Sequence, residues 1–200
     1  MEKILSKRMH DFSKTSDAIQ TILIYLIALL VPTFLGGILK SLFGETSLVA
    51  TNSQLIFGTI VNTALIMSAL NLKGWKKILG VVTMPSISTM LSGYVFSSAS
   101  PLMAYMIPGI WIGNFVLIYA YKAILLSKEK HYLLASIVGI VAKVAIIGTF
   151  FMALNAFGVF PEKMVATLQK AMTVTQLITA TTGALVAYSI YAIQKKTLNK

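Results

Sequence analysis

Long apolar stretches alternate with short polar segments along the whole chain, and each stretch is long enough to cross a membrane as a helix. The hydrocarbon core of a bilayer is about 30 Å thick, which takes roughly 20 helical residues to span. Six stretches reach this length without an aspartate or a glutamate: 18–39, 48–70, 75–96, 101–126, 132–157 and 172–193. The pattern predicts an all-α, polytopic integral membrane protein built as a bundle of six transmembrane helices.

The polar segments between these stretches complete the predicted organisation. Residues 1–17 are expected to form an N-terminal cytoplasmic or interfacial segment, residues 18–193 the six-helix domain, and residues 194–200 a basic cytoplasmic tail. In the segment before the sixth stretch, Pro161 and Glu162 precede apolar residues at helical spacing. This pattern is typical of a helix start and predicts a short amphipathic helix on the outer surface.

The composition agrees with a lipid environment. Hydrophobic residues make up 56% of the chain and charged residues only 12%, whereas soluble domains carry about 25% charged residues. So many apolar side chains could not all be hidden in one soluble core of this size. The composition therefore excludes an ordinary soluble enzyme and a disordered segment.

The distribution of the basic residues predicts the orientation in the membrane. If the N-terminus is cytoplasmic, thirteen of the 17 basic residues fall in inner segments, three in outer segments (Lys40, Lys163 and Lys170), and Lys143 inside a span. Cytoplasmic loops are enriched in lysine and arginine. We therefore expect a cell-membrane protein with both termini in the cytoplasm. Because Arg8 is the single arginine, nucleic-acid binding is disfavoured.

Lys143 is the most informative single residue, because it lies near the middle of the fifth stretch. A charged side chain at that depth costs roughly 3 kcal/mol on insertion scales. The six acidic residues of the chain all lie outside the spans, so no carboxylate in another span can pair with it. Lys143 is then neutral, bonded to amides and carbonyls, paired with another subunit, or placed to bind an anionic or carbonyl-bearing ligand.

Uncharged polar side chains at membrane depth form a second set of candidates. With Lys143, the candidate substrate-binding residues are Asn62, Asn114, Gln176, Thr179 and Trp111. The amides need hydrogen-bond partners in hydrocarbon and could meet Lys143 at one interior cavity. The alternative is that small and polar residues hold the helices together, and that Trp111 only packs.

Residues suited to catalysis or metal binding are scarce. The chain has no cysteine and only two histidines, His10 and His131, both near predicted helix ends. It also lacks a phosphate-binding loop and the Gly-x-Ser-x-Gly motif that carries the nucleophilic serine of α/β hydrolases. We therefore expect no enzymatic activity, no catalytic residues, no cofactor and no metal site.

Several segments resemble the substrate-binding (S) components of energy-coupling-factor transporters, in particular a subgroup sometimes labelled iron hydrogenase. The resembling segments are Asn62-Thr-Ala-Leu-Ile, Met84-Pro-Ser-Ile-Ser, residues 99–114, Ala142-Lys143 and Gln176-Leu-Ile-Thr-Ala-Thr-Thr-Gly183. A chain without cysteine cannot form a cysteine-ligated cluster, which contradicts the hydrogenase label here. The first span also lacks the Ala-x-x-x-Ala pattern by which that family docks on its coupling protein.

The resemblance implies a vitamin-like or metal-related nutrient bound near the outer side, and docking on a transmembrane coupling protein driven by ATPases. The working hypothesis is therefore a membrane-embedded substrate-binding subunit for nutrient uptake, surrounded by membrane lipid. The alternative is an accessory or structural membrane protein whose Lys143 pairs with a partner subunit.

Overall fold

The computed structural model describes residues 1–44, 46–48, 52–92 and 100–198, and their regular secondary structure is entirely helical. In chain order the helices are α1 (Glu2–Leu5), α2 (Lys14–Phe43), α3 (Ser53–Asn71), α4 (Trp75–Ser92), α5 (Ser100–Met103), α6 (Ile107–Ala120), α7 (Tyr132–Ala156), α8 (Glu162–Met172) and α9 (Val174–Leu198). A 3-10 turn, Ala104–Met106, precedes α6, and a π-helical segment, Tyr121–Ser127, continues it.

Five helical segments of the described chain are long and apolar enough to cross a membrane: Lys14–Phe43, Ser53–Asn71, Ala104–Ser127, Tyr132–Ala156 and Glu162–Thr197. They coincide with five of the six predicted stretches. The remaining stretch, 75–96, contains α4, which is 18 residues long in the described part of the chain. The end of this stretch, and the Ser-Ser-Ala-Ser-Pro segment 97–101 whose composition predicts a tight polar turn, fall largely outside the described residues. The sixth crossing therefore stays a prediction.

Close contacts fix how the long helices run past one another. An added Cβ on Gly58 would lie 2.6 Å from Thr179, and one on Gly183 would lie 2.7 Å from the Cβ of Asn62. Residue numbers rise together along this contact, so α3 and α9 are parallel. In the same way, the Tyr25 hydroxyl donates to the Lys77 carbonyl at 2.9 Å, and further along both helices the Ser88 hydroxyl donates to the Leu29 carbonyl, so α2 and α4 are parallel. Parallel packing of these two pairs is what an up-and-down bundle of six spans requires.

The outer surface of the bundle is apolar, while several polar side chains lie inside. On α2 alone, Ile22, Leu26, Leu30 and Phe34 are exposed. Apolar patches of this extent on a monomer mark a contact with lipid or with another protein. The reversed pattern, polar inside and apolar outside, is compatible with a membrane location.

The N-terminal segment covers one end of the bundle instead of trailing from it. Leu5 is buried, the Met9 amide donates to the Leu70 carbonyl at 2.7 Å, and the Gly74 amide donates to the Leu5 carbonyl at 3.1 Å. Asp17 forms ion pairs with Arg8, at 2.9 Å, and with Lys77. These contacts join the segment to the ends of α2, α3 and α4.

Lys122 belongs to this closed end. The sequence places it near the end of the stretch 101–126 and counts it with the basic residues of the inner side, and it is 0% exposed within the π-helical segment. Its amine donates to the Leu72 carbonyl at 2.8 Å and to the Lys7 carbonyl. It is therefore a structural lysine that connects the N-terminal segment to the bundle.

The predicted short helix after residue 157 is confirmed as α8, which begins at Glu162 directly after Pro161. Its apolar face packs through Leu168, Ala171 and Met172, which are buried against Phe151 and Phe160. It lies at the end of the bundle opposite to the N-terminal segment, because α7 runs away from that end and α9 returns to it.

Candidate ligand-binding cavity

A cavity of about 100 Å³ opens between the helices. Its walls come from α2, α3, α4, α5, α6, α7 and α9. They reach from the middle of the bundle, where Lys143 lies, toward the end away from the N-terminal segment. The described lining residues are Pro32, Gln54, Phe57, Gly58, Val61, Asn62, Pro85, Ser86, Thr89, Met90, Met103, Ile107, Ile110, Asn114, Lys143, Thr175, Gln176 and Thr179. For scale, a cavity of roughly 150 Å³ holds benzene.

Lys143 provides the amine of this cavity. It is 2% exposed, and its amine donates to Oδ1 of Asn62 at 2.5 Å across the contact between α7 and α3. Of the four possibilities left open by the sequence, the structure therefore shows the bond to an amide. An ammonium has three N–H donors, so a single acceptor leaves capacity for further acceptors in the cavity.

Asn62 is held in a fixed orientation by its own bonds. Its Nδ2 donates to the Gly58 carbonyl at 2.7 Å and to Oγ1 of Thr179 at 3.3 Å. Both bonds use the amide hydrogens, so the oxygen is turned toward Lys143. Thr179 in turn donates to the Thr175 carbonyl at 2.8 Å. The chain from α9 through Asn62 thus positions the amine of Lys143.

Asn114 of α6 forms a hydrogen bond with α4, a helix that is interrupted by Pro85. Its Nδ2 donates to the Val82 carbonyl at 3.3 Å, three residues before Pro85. A proline inside a helix removes one backbone hydrogen bond and disturbs the turn before it. Membrane helices tolerate this where side chains of neighbouring helices donate to backbone carbonyls of the disturbed turn. The turn before Pro32 of α2 is contacted in the same way, because the Ser88 hydroxyl of α4 donates to the Leu29 carbonyl.

Ser86 is a cavity residue that the sequence analysis did not select. It is 7% exposed, and its Oγ has no hydrogen-bond partner among the described residues. The polar side chains of α4 face two directions, because Ser88 donates to α2 whereas Thr89 lines the cavity with Ser86. A helical repeat of 3.6 residues already puts Ser86 and Thr89 on one face and Ser88 on another, so this signal was present in the sequence.

The structure brings together five of the six predicted binding residues: Lys143, Asn62, Asn114, Gln176 and Thr179. Trp111 is not among them. It packs against the buried apolar cluster at the closed half of the bundle, with an indole N–H that lacks a partner in the described chain. Gly113, two positions further on and on nearly the opposite face of α6, lets this helix approach Ile147 and the Lys143 carbonyl.

The polar side chains of the cavity are of three kinds. They are an amine, amides and hydroxyls, and among the described residues no histidine or carboxylate lines the cavity. The described residues also contain no group of three or more histidines and acidic residues that could hold a metal ion. Most of the remaining wall is apolar, including Phe57, Val61 and Ile110.

Comparison with known proteins adds no relative, since no protein-family model, no curated protein and no solved structure matches this chain.

Proposed function

We propose that this chain is a membrane-embedded, substrate-binding subunit for the uptake of a small nutrient. The observation that carries the proposal is the convergence of Lys143, Asn62, Asn114, Gln176 and Thr179, from four helices, on one cavity. A concave, mostly apolar wall with a few convergent polar groups is the usual form of a small-molecule site. Lys143, Asn62 and Asn114 also bond across helix contacts, but polar residues that only hold helices together would need no cavity between them.

The direction of binding follows from the two ends of the bundle. The cavity lies in the half remote from the N-terminal segment, while that segment covers the other end. If six spans cross the cell membrane with both termini in the cytoplasm, as the distribution of lysines favours, the cavity faces outside. A ligand then enters from the external medium and finds the inner end closed.

Transfer of the ligand inward requires partner proteins in this proposal. The sequence has no phosphate-binding loop with which to use ATP, and the resemblance to S components supplies a coherent scheme. A transmembrane coupling protein and ATPase subunits would open the inner end, with lipid covering the exposed apolar surface of the bundle.

The alternative, an accessory protein whose Lys143 pairs with a partner subunit, fits the geometry less well. Lys143 is only 2% exposed and lies at the cavity wall. An acidic side chain of another subunit would have to pass through the layer of helices to reach it.

Filling the cavity tests the proposal. Ser86→Phe places a ring in the cavity, whereas Ile87→Phe, one position along α4, adds the same ring at a side chain that is 43% exposed. Both variants and the wild type are purified from native membranes, and bound small molecules are extracted for mass spectrometry. We expect one compound enriched with the wild type and with Ile87→Phe but not with Ser86→Phe. Cells that contain the partner proteins should accumulate this compound in isotopically labelled form.

Two results would contradict the proposal. Extracts of the wild type and of Ser86→Phe that do not differ would show that the cavity holds no ligand. A stable protein partner recovered without any bound small molecule would favour the accessory role.

A further inference from the structure

Two buried polar groups of the cavity lack the partners that would complete them. Lys143 gives one hydrogen bond, to Asn62, and no carboxylate of the described chain pairs with it. Ser86 Oγ is buried and has no partner in the described chain. Buried polar atoms without partners are rare and call for an explanation, such as a bound group. Both line the same cavity, from α7 and α4.

The basic side chain of the site indicates the sign and the number of charges on the missing group. Lys143 is the only cationic residue among the described lining residues, and no anionic residue lines the cavity with it. A buried ammonium is stabilised by a counter-charge with which it forms a hydrogen bond. A single negative charge balances it, whereas a dianion such as a phosphate ester would bring a second charge with no partner.

The apolar walls of the cavity indicate that the rest of the ligand is apolar. Phe57, Val61, Met90, Ile107 and Ile110 line the cavity beside the polar groups. An inorganic anion would leave these side chains against water, while an apolar body would cover them. The volume of about 100 Å³ restricts that body to a small one.

We propose that the ligand of this cavity is a small organic monocarboxylate with an apolar body, whose carboxylate accepts hydrogen bonds from the Lys143 amine and the Ser86 hydroxyl. The proposal rests on the proposed substrate-binding function and names its substrate class. Asn62 orients the amine through its oxygen, and the apolar walls hold the body of the ligand. The carboxylate supplies the negative charge that the predicted spans lack, since none of them contains an aspartate or a glutamate.

The test compares acids with amides of the same shape. Propionate, butyrate, isobutyrate and isovalerate, all smaller than the benzoate that a cavity of this volume would not hold, are each paired with the corresponding primary amide. Each compound is titrated into the purified full-length chain in detergent, and binding is followed by the apparent Tm from tryptophan fluorescence. We expect at least one acid to raise the Tm and to bind more than about tenfold tighter than its amide, since charge-assisted hydrogen bonds are the stronger ones.

Three variants locate the effect. Lys143→Met should abolish the preference for the acid, and Ser86→Ala, a change too small to threaten folding, should weaken binding of the acid more than binding of the amide. Lys122→Met removes the other buried lysine, at the closed end, and should keep the preference.

Each contrary outcome is informative. Equal binding of acid and amide, or a preference that survives Lys143→Met, overturns the carboxylate class but leaves a binding function in place. No response to any acid overturns it too. In that case, a compound recovered from the wild type in the extraction experiment shows that only the ligand class is wrong, and its absence shows that the binding function fails as well.

Discussion

Lys122 and Lys143 are both buried in the helix bundle, but their amines are satisfied in opposite ways. Lys122 donates to two backbone carbonyls, those of Lys7 and Leu72, at the end that the N-terminal segment covers. Lys143 donates to one side-chain amide and otherwise faces the cavity. Lys122 therefore has two backbone acceptors away from the cavity, whereas Lys143 has one acceptor and lies at the cavity wall. This contrast separates a structural lysine from a lysine available for binding.

The bond between Lys143 and Asn62 predicts non-additive effects on stability. Asn62→Leu leaves the amine without its acceptor and should destabilise the protein by about 1–3 kcal/mol. Adding Lys143→Met removes the orphaned amine, so the double variant should lose less than the sum of the two single changes. Thermal unfolding of the four proteins in one detergent measures this. Strict additivity would show that the bond does not contribute in solution.

The attachment of the N-terminal segment predicts a proteolysis phenotype. Lys122→Met leaves the Lys7 and Leu72 carbonyls without their donor, so the segment should open more often. Trypsin should then cut after Lys7 or Arg8 several-fold faster than in the wild type, and Lys143→Met, at the other end, should leave that rate unchanged. Equal rates in all three proteins would mean that Lys122 does not hold the segment.

The contact between α3 and α9 predicts a sharp difference between two glycines. A Cβ at Gly183 would lie 2.7 Å from the Cβ of Asn62 and 3.0 Å from backbone atoms of Thr59 and Thr63, none of which can move freely. Gly183→Ala should therefore separate the helices and destabilise the protein by about 1–3 kcal/mol. Gly148→Ala is the control, because its Cβ meets a single side-chain atom at 3.3 Å. Comparable Tm values for the two variants would refute this packing.

The predicted orientation can be tested on a chain that has no natural cysteine. Single cysteines replace Lys40, Lys76, Ser98, Lys128 and Lys163, and intact cells are treated with a membrane-impermeant maleimide. Positions 40, 98 and 163 should react from outside, whereas positions 76 and 128 should react only after permeabilisation. If position 98 reacted only from inside, the stretch 75–96 would not cross the membrane. If the pattern were reversed at all positions, both termini would lie outside the cell.

Much of the fold follows from the sequence because a bilayer imposes one simple requirement, a long apolar helix, on each crossing. The stretches containing α2, α7 and α9, and the short helix α8, are predicted closely for this reason. The beginning of α3 is not, since the structure starts it at Ser53 and the predicted stretch starts at residue 48. Apolar composition marks what can enter the membrane and says less about where the helix begins.

The site is predictable only in part, because depth and helical face can be read from spacing but neighbours cannot. Lys143 and the amides are conspicuous in hydrocarbon, and the structure does place them at one cavity. Trp111 is equally deep, yet packing turns it toward the buried cluster. Lys122 resembles a loop lysine until the carbonyls of Lys7 and Leu72, distant in sequence, are seen to meet it.

The central claim is a cavity that opens to the outside and attracts anions through Lys143. Thr89→Cys places a thiol on its wall, and the thiol is treated in intact cells with two methanethiosulfonates of similar size, one carrying a sulfonate and one a quaternary ammonium. We expect external modification that is several-fold faster with the sulfonate, and loss of that preference when Lys143→Met is added. A thiol that reacts only from the cytoplasmic side, or a preference unchanged by the loss of Lys143, would contradict the account.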